Sequence, residues 1–426
     1  MDCIELMIKI CVGIGTVLTV LSAYKYIFLI VGAFSYRKFS KTDKLYRYGI
    51  CVAARDEECV IENFLESVAR QDYPLEQIVV FLVAHNCKDR TAELARRFCA
   101  QGLKVVVYEH NAPNERTKGY ALQYLFEQIE KDYHRASFDG YFIFDADNVL
   151  AKDYLTRMNE SFAAGNKVVV SFRNSKNINQ NWISFGYATH WMRTCFSENR
   201  GKSVLRQSCR VQGTGFLFAS EVVRDGWQYV TLTEDRSFCT DAVLQNYKIC
   251  YCEEAVFYDE QPYSIKIAWR QRLRWAKGHL QSTVENCPKL LKNLFRKDKN
   301  FFITYDCFWL NFPRTIESGI RKLVKGGLEI ALVLLTSTFL GWWKGALLAL
   351  VYAFAKDWLA KTITACVVMI VYRKRIEKEN VFKRIIHVFL FPLFDIVGKW
   401  ATYVALVKKV EWKAIPHDRV MDVGKI

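Results

Sequence analysis

The sequence predicts an α/β domain, a largely parallel sheet with helices on both faces, flanked by apolar helices that belong in a membrane. Three observations predict it. Short apolar runs alternate with amphipathic stretches from about Tyr46 to Gln281. The run Met7–Phe34 is almost continuously apolar, and the chain turns apolar again from Leu328. The stretch between these ends is charged. Strand and helix alternation argues for a parallel sheet, and at 426 residues the chain has room for two or three units.

Taken in order, the first element is Met7–Phe34, broken only by Lys9 and Lys25. It exceeds the roughly 20 residues needed to cross a bilayer. It is too long for a signal peptide and lacks a small-residue cleavage pattern. Asp2 and Glu5 precede it, and Arg37, Lys38, Lys41, Lys44 and Arg47 follow it. The positive-inside rule therefore places the N-terminus outside and the polar region in the cytosol. Strands are expected at Tyr48–Ala53, Ile78–Ala84, Lys104–Tyr108 and Tyr141–Phe144. Helices are expected at Cys59–Arg70, Thr91–Cys99 and Gly119–Ile129. Ligands bind at the carboxyl ends of such strands, so the loops after Ala53, Ala84, Tyr108 and Phe144 are predicted to carry the site.

Beyond this domain, the aromatic-rich Phe301–Phe312, before Pro313, reads as an interfacial helix. Leu328–Gly341 and Gly345–Phe354 flank Trp342, Trp343 and Lys344, which suggests a hairpin with the Trp pair at the outer interface. Its second limb returns to Tyr372 and meets Arg373–Arg375. Lys356, Asp357 and Lys361 then mark a polar path, an ion pair or a misplaced helix boundary. Ile385–Val407, with Pro392, Asp395, Gly398 and Lys399, reads as either a spanning or an interfacial helix. The expected division is a membrane helix over 1–36, a cytosolic catalytic domain over 45–290, an interfacial helix over 298–320, and membrane and interfacial helices over 321–426.

The formal net charge of +16 admits nucleic acid, anionic lipid or an anionic substrate as partner. The basic clusters sit beside apolar runs, which favours the lipid bilayer. No segment interleaves basic and stacking aromatic residues, so nucleic acid is not an expected partner. The 14 cysteines include no CxxC pair, only the CxC of Cys250 and Cys252, which argues against structural zinc. In a cytosolic domain they stay reduced.

Three motifs carry chemistry. In Tyr141-Phe142-Ile143-Phe144-Asp145-Ala146-Asp147-Asn148 an apolar strand ends in two carboxylates that point the same way. Such oxygen ligands suit Mg²⁺ or Mn²⁺ held with phosphate, although surface loops also contain this pattern. Thr233-Glu234-Asp235, before a helical run Asp241–Tyr247, reads as a helix N-cap or as a general base for an attacking hydroxyl. In Gln271-Arg272-Leu273-Arg274-Trp275, positions 271, 274 and 275 share a helical face. Arg suits phosphate and Trp offers a flat face to a sugar, but a basic surface helix has the same pattern.

Together and in this order, the three resemble the processive membrane glycosyltransferases of family 2, which include cellulose, chitin and hyaluronan synthases. The resemblance covers about Tyr46 to Gln281. Ala53-Ala54-Arg55-Asp56-Glu57 resembles the family's first strand-end motif, and Lys118-Gly119-Tyr120-Ala121-Leu122 its phosphate-meeting helix start. Gln212-Gly213-Thr214-Gly215 stands where the family has an acceptor-facing loop, and Asp259-Glu260-Gln261-Pro262 precedes the Gln-Arg-Trp motif as in relatives.

The resemblance implies a glycosyltransferase A type fold with a mixed or parallel nucleotide-sugar-binding sheet, and inverting transfer from a UDP-sugar to the end of a β-linked polysaccharide, which is extruded across a bacterial plasma membrane. It implies Mg²⁺ or Mn²⁺ on Asp145 and Asp147, and Asp235 as base with Glu234 beside it. Ala54, Arg55, Glu57, His85, Lys118, Asp145 and Arg274 would contact the nucleotide. Gly213, Thr214, Gln271, Arg274 and Trp275 would contact acceptor and product. One departure stands out. The family carries an aspartate pair after the second strand, where this chain has Ala84-His85-Asn86-Cys87-Lys88-Asp89. His85 or Asn86 then takes over the base contact, or His85 is only a loop histidine. The loop Gln212–Gly215 lacks the Gly-Pro element associated with amino-sugar polymerases, which points to UDP-glucose and a β-glucan. A UDP-N-acetylglucosamine polymer or single transfer to a lipid is the alternative. An accessory subunit or a second copy is a possible partner, because the predicted helices are few for a complete channel.

Overall fold

The structure is a computed structural model that describes residues 2–98, 102–312, 320, 321, 324, 327, 341–410, 415 and 417–425. An eight-stranded sheet forms its centre. The strands are β1 (Tyr48–Ala54), β2 (Ile78–His85), β3 (Lys104–His110), β4 (Gly140–Asp145), β5 (Val149–Leu150), β6 (Val168–Ser175), β7 (Phe216–Ala219) and β8 (Ile249–Asp259). Their spatial order is β3-β2-β1-β4-β7-β6-β8-β5.

The first four strands in space are parallel, as the alternation predicts. Beyond β4 the sheet is mixed. β7 runs antiparallel to β4 and β6, β6 is parallel to β8, and β5 is antiparallel to β8. Alternation reads only the parallel half; the mixed half agrees with the glycosyltransferase A type sheet that the resemblance implies. β6 is buried along its whole length and carries Ser171, Arg173, Asn174 and Ser175, so it has no apolar-polar alternation to read.

Register decides where the site lies. Ala54 pairs with Ala84, Ala53 with Asp145, and His85 with His110. The carboxyl ends of β1, β2 and β4 are therefore level. The helices α2 (Ile61–Ala69), α3 (Thr91–Arg97), α4 (Lys118–Tyr133) and α5 (Tyr154–Ala163) cover the sheet. In α2 the predicted apolar positions Ile61, Phe64, Leu65 and Val68 are fully buried, and the Phe64 ring meets Phe144 at 5.7 Å.

The N-terminal helix α1 (Asp2–Phe34) includes the one segment among the described residues long and apolar enough to cross a membrane, Ile8–Phe34. Its end packs on the turns at 195–200 and on α7 (Gly201–Val204), behind α6 (Trp182–Thr194). Contact is close: a Cβ on Gly201 would lie 1.9 Å from the Phe28 carbonyl oxygen. Next come α8 (Glu234–Leu244), α9 (Ile265–Asn293) and α10 (Phe301–Asn311). Instead of lying free, α10 buries Ile303, Thr304, Asp306, Cys307 and Asn311, and it touches α8 and α9. Tyr24 of α1 donates to Asp306 at 2.9 Å, which ties α10 to the N-terminal helix.

Two long helices follow, α11 (Trp342–Val371) and α12 (Val381–Val407). The first limb of the expected hairpin, 328–340, lies outside the described residues, as do 313–319 of the expected interfacial region. For the ionisable group in α11 the structure gives ion pairing. Lys361 lies 3.6 Å from Asp357 and 3.5 Å from Asp395 of α12, and Lys399 lies 3.5 Å from Asp357. α12 also packs on α6 and α9. A Cβ on Gly186 would come within 2.4 Å of the Phe394 ring.

Candidate active site

A cavity of about 460 Å³ opens at the level strand ends. Every residue predicted for the site lines it except Thr214: Ala54, Arg55, Glu57, His85, Lys118, Asp145, Asp147, Gly213, Glu234, Asp235, Gln271, Arg274 and Trp275. Thr214 was expected at the acceptor and is placed elsewhere. It is buried behind the turn that follows β4, where its hydroxyl accepts from the Asp145 N–H at 2.9 Å and donates to Asn148 at 2.5 Å. The cause is β7, which runs back along β4 just after Thr214 and presses it against the strand end.

That turn fixes the two carboxylates. The Asn148 N–H donates to the Asp145 carbonyl at 3.1 Å. The Asn148 amide donates to Asp147 at 3.2 Å and to Asp259 at 3.0 Å. Asp259, at the end of β8, also accepts from Arg173 Nε at 2.9 Å. Lys118, at the start of α4, pairs with Asp145 and donates to the Gly213 carbonyl at 3.0 Å. Burial works against the Lys118 charge, yet Asp145, Glu234 and Asp235 hold its pKa above the ordinary value. Burial likewise opposes ionisation of Asp145, and Lys118 outweighs it, so that pKa is lowered. Asp147 forms no such close lysine pair among the described residues. Burial pushes its pKa up, His417 partly offsets this, and Asp145 adds to it.

His417 is the residue the sequence reading missed. It follows α12 in a polar tail, with no motif around it. Its Nδ1 lies 3.0 Å from both Glu57 oxygens, and its Nε2 lies 4.0 Å from Asp147. Despite burial, Asp147 and Glu57 hold its pKa well above the ordinary histidine value. The same tail is latched down on either side of the site. The N–H groups of Asp418 and Arg419 donate to Glu260, and Met421 exchanges hydrogen bonds with Asn63. Asp145, Asp147 and Glu57 thus bring hard oxygens together, and His417 adds an imidazole once the proton those carboxylates hold on it is displaced. That donor set fits a Mg²⁺ or Mn²⁺ ion, and the uncompensated burial of Asp147 is relieved by a cation.

Across the cavity, the helix predicted at Asp241–Tyr247 begins earlier, at Glu234. Thr233 holds the cap position without a side-chain cap bond, and Glu234 and Asp235 occupy the first turn. Neither carboxylate is therefore the cap. The Asp235 carboxylate lies 4.0 Å from where a Cβ on Gly213 would stand. Burial, with Asp235 adding to it, pushes the Glu234 pKa up to about 7. Arg274, on α9, donates to the Leu232 carbonyl at 3.1 Å, so this helix holds the turn that presents Asp235.

Gln271, Arg274 and Trp275 share one face of α9, as their spacing predicts. The Trp275 ring meets Trp191 edge-on at 5.3 Å and Tyr187 at 5.8 Å. Arg173 stacks 4.0 Å from the Trp191 ring centre. The far wall comes from α12, through Asp395, Gly398, Lys399, Thr402 and Tyr403. These were invisible as site residues because only packing brings α12 to the cavity.

Comparison with known proteins agrees with this arrangement. Residues 47–278 match the family described as Glycosyltransferase like family 2. The chain is 24% identical to the probable glycosyltransferase YdaM of Bacillus subtilis over 63% of its length and 62% of the relative's. It is 25% identical to beta-monoglucosyldiacylglycerol synthase of Trichormus variabilis (57% and 51%). It is 26% identical to poly-beta-1,6-N-acetyl-D-glucosamine synthase of Staphylococcus epidermidis (53% and 53%). The chain thus spans about half to three fifths of the curated relatives it matches. Among solved structures, the mannosyltransferase PcManGT from Pyrobaculum calidifontis, in complex with GDP-Man and Mn²⁺, shares the fold. The TM-score is 0.55 at 16% identity, over 85% of this chain and 100% of that one. With a family match over more than half its length, a mixed sheet of the glycosyltransferase A kind and a carboxylate-rich cavity at the strand ends, the chain belongs to glycosyltransferase family 2.

Proposed function

We propose that this transferase moves a hexose, best glucose, from a UDP-sugar to the end of a growing β-linked polysaccharide, with inversion, and passes the product across the plasma membrane. One observation carries the reading. Asp235, Lys118, the Asp145–Asp147 pair and Trp275 all face a single cavity, though they come from four separate elements. Asp145 and Asp147, with Glu57 and His417, would hold the divalent cation, which neutralises charge on the diphosphate when bound. Lys118 stands beside Asp145, ready to meet the same phosphate oxygens. Trp275 and Trp191 offer flat faces on which the terminal sugar packs. Asp235 takes the proton of the acceptor hydroxyl as its oxygen bonds to the anomeric carbon and the bond to UDP breaks. Holding hydroxyl and donor together supplies the proximity contribution.

The α12 wall favours an exit or entry route at the membrane side, since the same helix pairs with α11 through the lysine and aspartate cluster. In this reading α1, α11 and α12 are membrane or interfacial helices. Single transfer to a lipid is the second reading, favoured by the 25% identity to a glucosyldiacylglycerol synthase.

The test is incorporation of radiolabel by the purified protein from UDP-glucose and from UDP-N-acetylglucosamine, with and without Mg²⁺ or Mn²⁺. Metal-dependent, alcohol-insoluble product from one donor is expected. Label confined to a lipid extract would select the second reading. Absence of transfer from either donor would overturn the UDP-hexose assignment.

A further inference from the structure

The cavity wall that carries Trp191 and Trp275 is basic as well as aromatic. α6 brings Arg193 to it and α9 brings Arg272. Arg272 is 9% exposed. Its guanidinium carbon stands 3.6 Å from the Phe394 ring centre and 5.2 Å from that of Tyr187. Tyr187 in turn meets Trp275 at 5.8 Å, so the charge sits beside the flat faces offered to a sugar. Gly398 of α12 makes the room, since a Cβ there would overlap the guanidinium.

This charge lacks a counterpart. Arg272 Nε is enclosed without a hydrogen-bond partner. Its two terminal nitrogens donate to no group among the described residues either, but they are not enclosed, so they are the atoms that reach the open space. Arg193 donates to His190 Nδ1 at 3.1 Å. Among the described residues neither arginine has a carboxylate at ion-pair distance; Asp395, on the same wall, pairs with Lys361 at 3.5 Å. Burial works against the Arg272 charge, Tyr187 and Asp395 offset this in part, and Arg193 adds to it. An arginine does not shed its proton to escape burial. A buried cation without a partner is an unmet requirement for an anion. Two guanidinium groups on one space match the oxygens of a phosphate.

The wall also says what carries the phosphate. Phe389, Leu393 and Trp400 of α12 are exposed. In the proposed topology they meet acyl chains, and a single helix, about 10 Å across, separates them from the two arginines. A neutral glucan end needs neither arginine. We propose that Arg272 and Arg193 form a subsite for the phosphodiester of a lipid acceptor, whose head-group hydroxyl receives the first sugar. This rests on the transferase reading above and names the acceptor on which synthesis begins. The hydroxyl oxygen bonds to the anomeric carbon, the bond from that carbon to the diphosphate breaks, and the proton passes to Asp235.

The experiment gives the purified full chain, with Mn²⁺ and labelled UDP-glucose or UDP-N-acetylglucosamine, either phosphatidylglycerol or diacylglycerol in micelles of a neutral polyoxyethylene detergent. Both lipids carry a hydroxyl and only the first a phosphate. The KM for phosphatidylglycerol is expected to be at least about tenfold lower, the worth of a charge-assisted hydrogen bond. In Arg272→Gln that preference should collapse, while UDP affinity by calorimetry stays within about twofold. Arg193→Gln should reduce the preference in the same direction, which keeps the test open if one variant fails to fold. Equal use of the two lipids by the native chain overturns the proposal, and so does a preference that survives both substitutions. Loss of UDP binding in either variant would assign the arginines to the diphosphate and overturn it as well. Soluble sn-glycerol 3-phosphate should compete poorly; competition as strong as the lipid's would make this a site for free phosphate. An acidic oligosaccharide glycosylated in preference to phosphatidylglycerol would move the anion to the glycan, against the proposal. A native chain that does not bind UDP would overturn the UDP-sugar reading itself, whereas UDP binding with no label in either lipid sinks only the inference.

Discussion

At the scale of single residues, the carboxylates around the cavity have distinct surroundings, and their substitutions should separate. Asp235→Asn keeps shape and removes the proton acceptor. Turnover should fall by at least about a thousandfold while UDP affinity, measured by calorimetry, stays within a few fold. Loss of UDP binding in that variant would move Asp235 to the nucleotide. Glu234 gives a pH prediction. Its pKa in the fold is pushed up to about 7, above the ordinary carboxyl range. The folded chain therefore keeps a proton that the unfolded chain has lost, and stability declines as pH rises through that interval. Glu234→Gln should come close to the native protein in thermal stability at pH 5 and exceed it at pH 8, by about 3 kcal/mol at most. Equal melting at pH 8 would mean Glu234 is ionised without penalty. His417→Ala should weaken Mn²⁺ binding about tenfold or more, read by metal titration of the purified chain. The Asp145, Asp235 and Trp275 motifs were legible because each is a short run whose spacing alone puts its side chains together. His417 was not, since its partner Glu57 stands 360 positions earlier in the chain. The inward turn of Thr214 was not legible for a similar reason: β7, running back along β4, presses it behind the cavity wall.

At the scale of elements, β1 to β4 and the helices between them were legible from alternation because each strand is a plain apolar run. β6 to β8 were not. Their pairing is set by long-range contacts, and β6 buries Arg173 and Asn174 for the sake of Asp259 and its turn. The turn before Glu234 is held by α9 through Arg274, so the third motif is partly a support for the second. Contacts between helices offer a direct test. Gly186 lets α6 lie against Phe394 of α12, with no room for a Cβ. Gly186→Leu should pry the two apart, lower stability by about 1–3 kcal/mol and reduce transfer more than UDP binding. The check pairs limited proteolysis near α12 with the two assays. Intact packing and full activity would show that α12 is dispensable to the cavity.

At the scale of the whole molecule, the proposed topology predicts which face of the membrane the catalytic domain occupies. Cys59 is exposed near the nucleotide end. A membrane-impermeant maleimide should label it in inverted vesicles and leave it unlabelled in sealed right-side-out ones, with Cys59→Ser as control. Labelling from the outside would reverse the orientation. The apolar character of the two ends was legible from hydropathy, but their use was not, because hydropathy says nothing of which polar residues on an apolar helix turn toward a catalytic pocket. α12 does so with Asp395, Lys399, Thr402 and Tyr403, while its Asp395 holds Lys361 of α11. The reaction chamber therefore has a wall that is not anchored in the sheet. In the proposed topology that wall tilts with its surroundings, and hydrophobic mismatch becomes a control on synthesis. Thin and thick bilayers should give the same donor affinity and different rates of chain growth, as though acyl length were an effector.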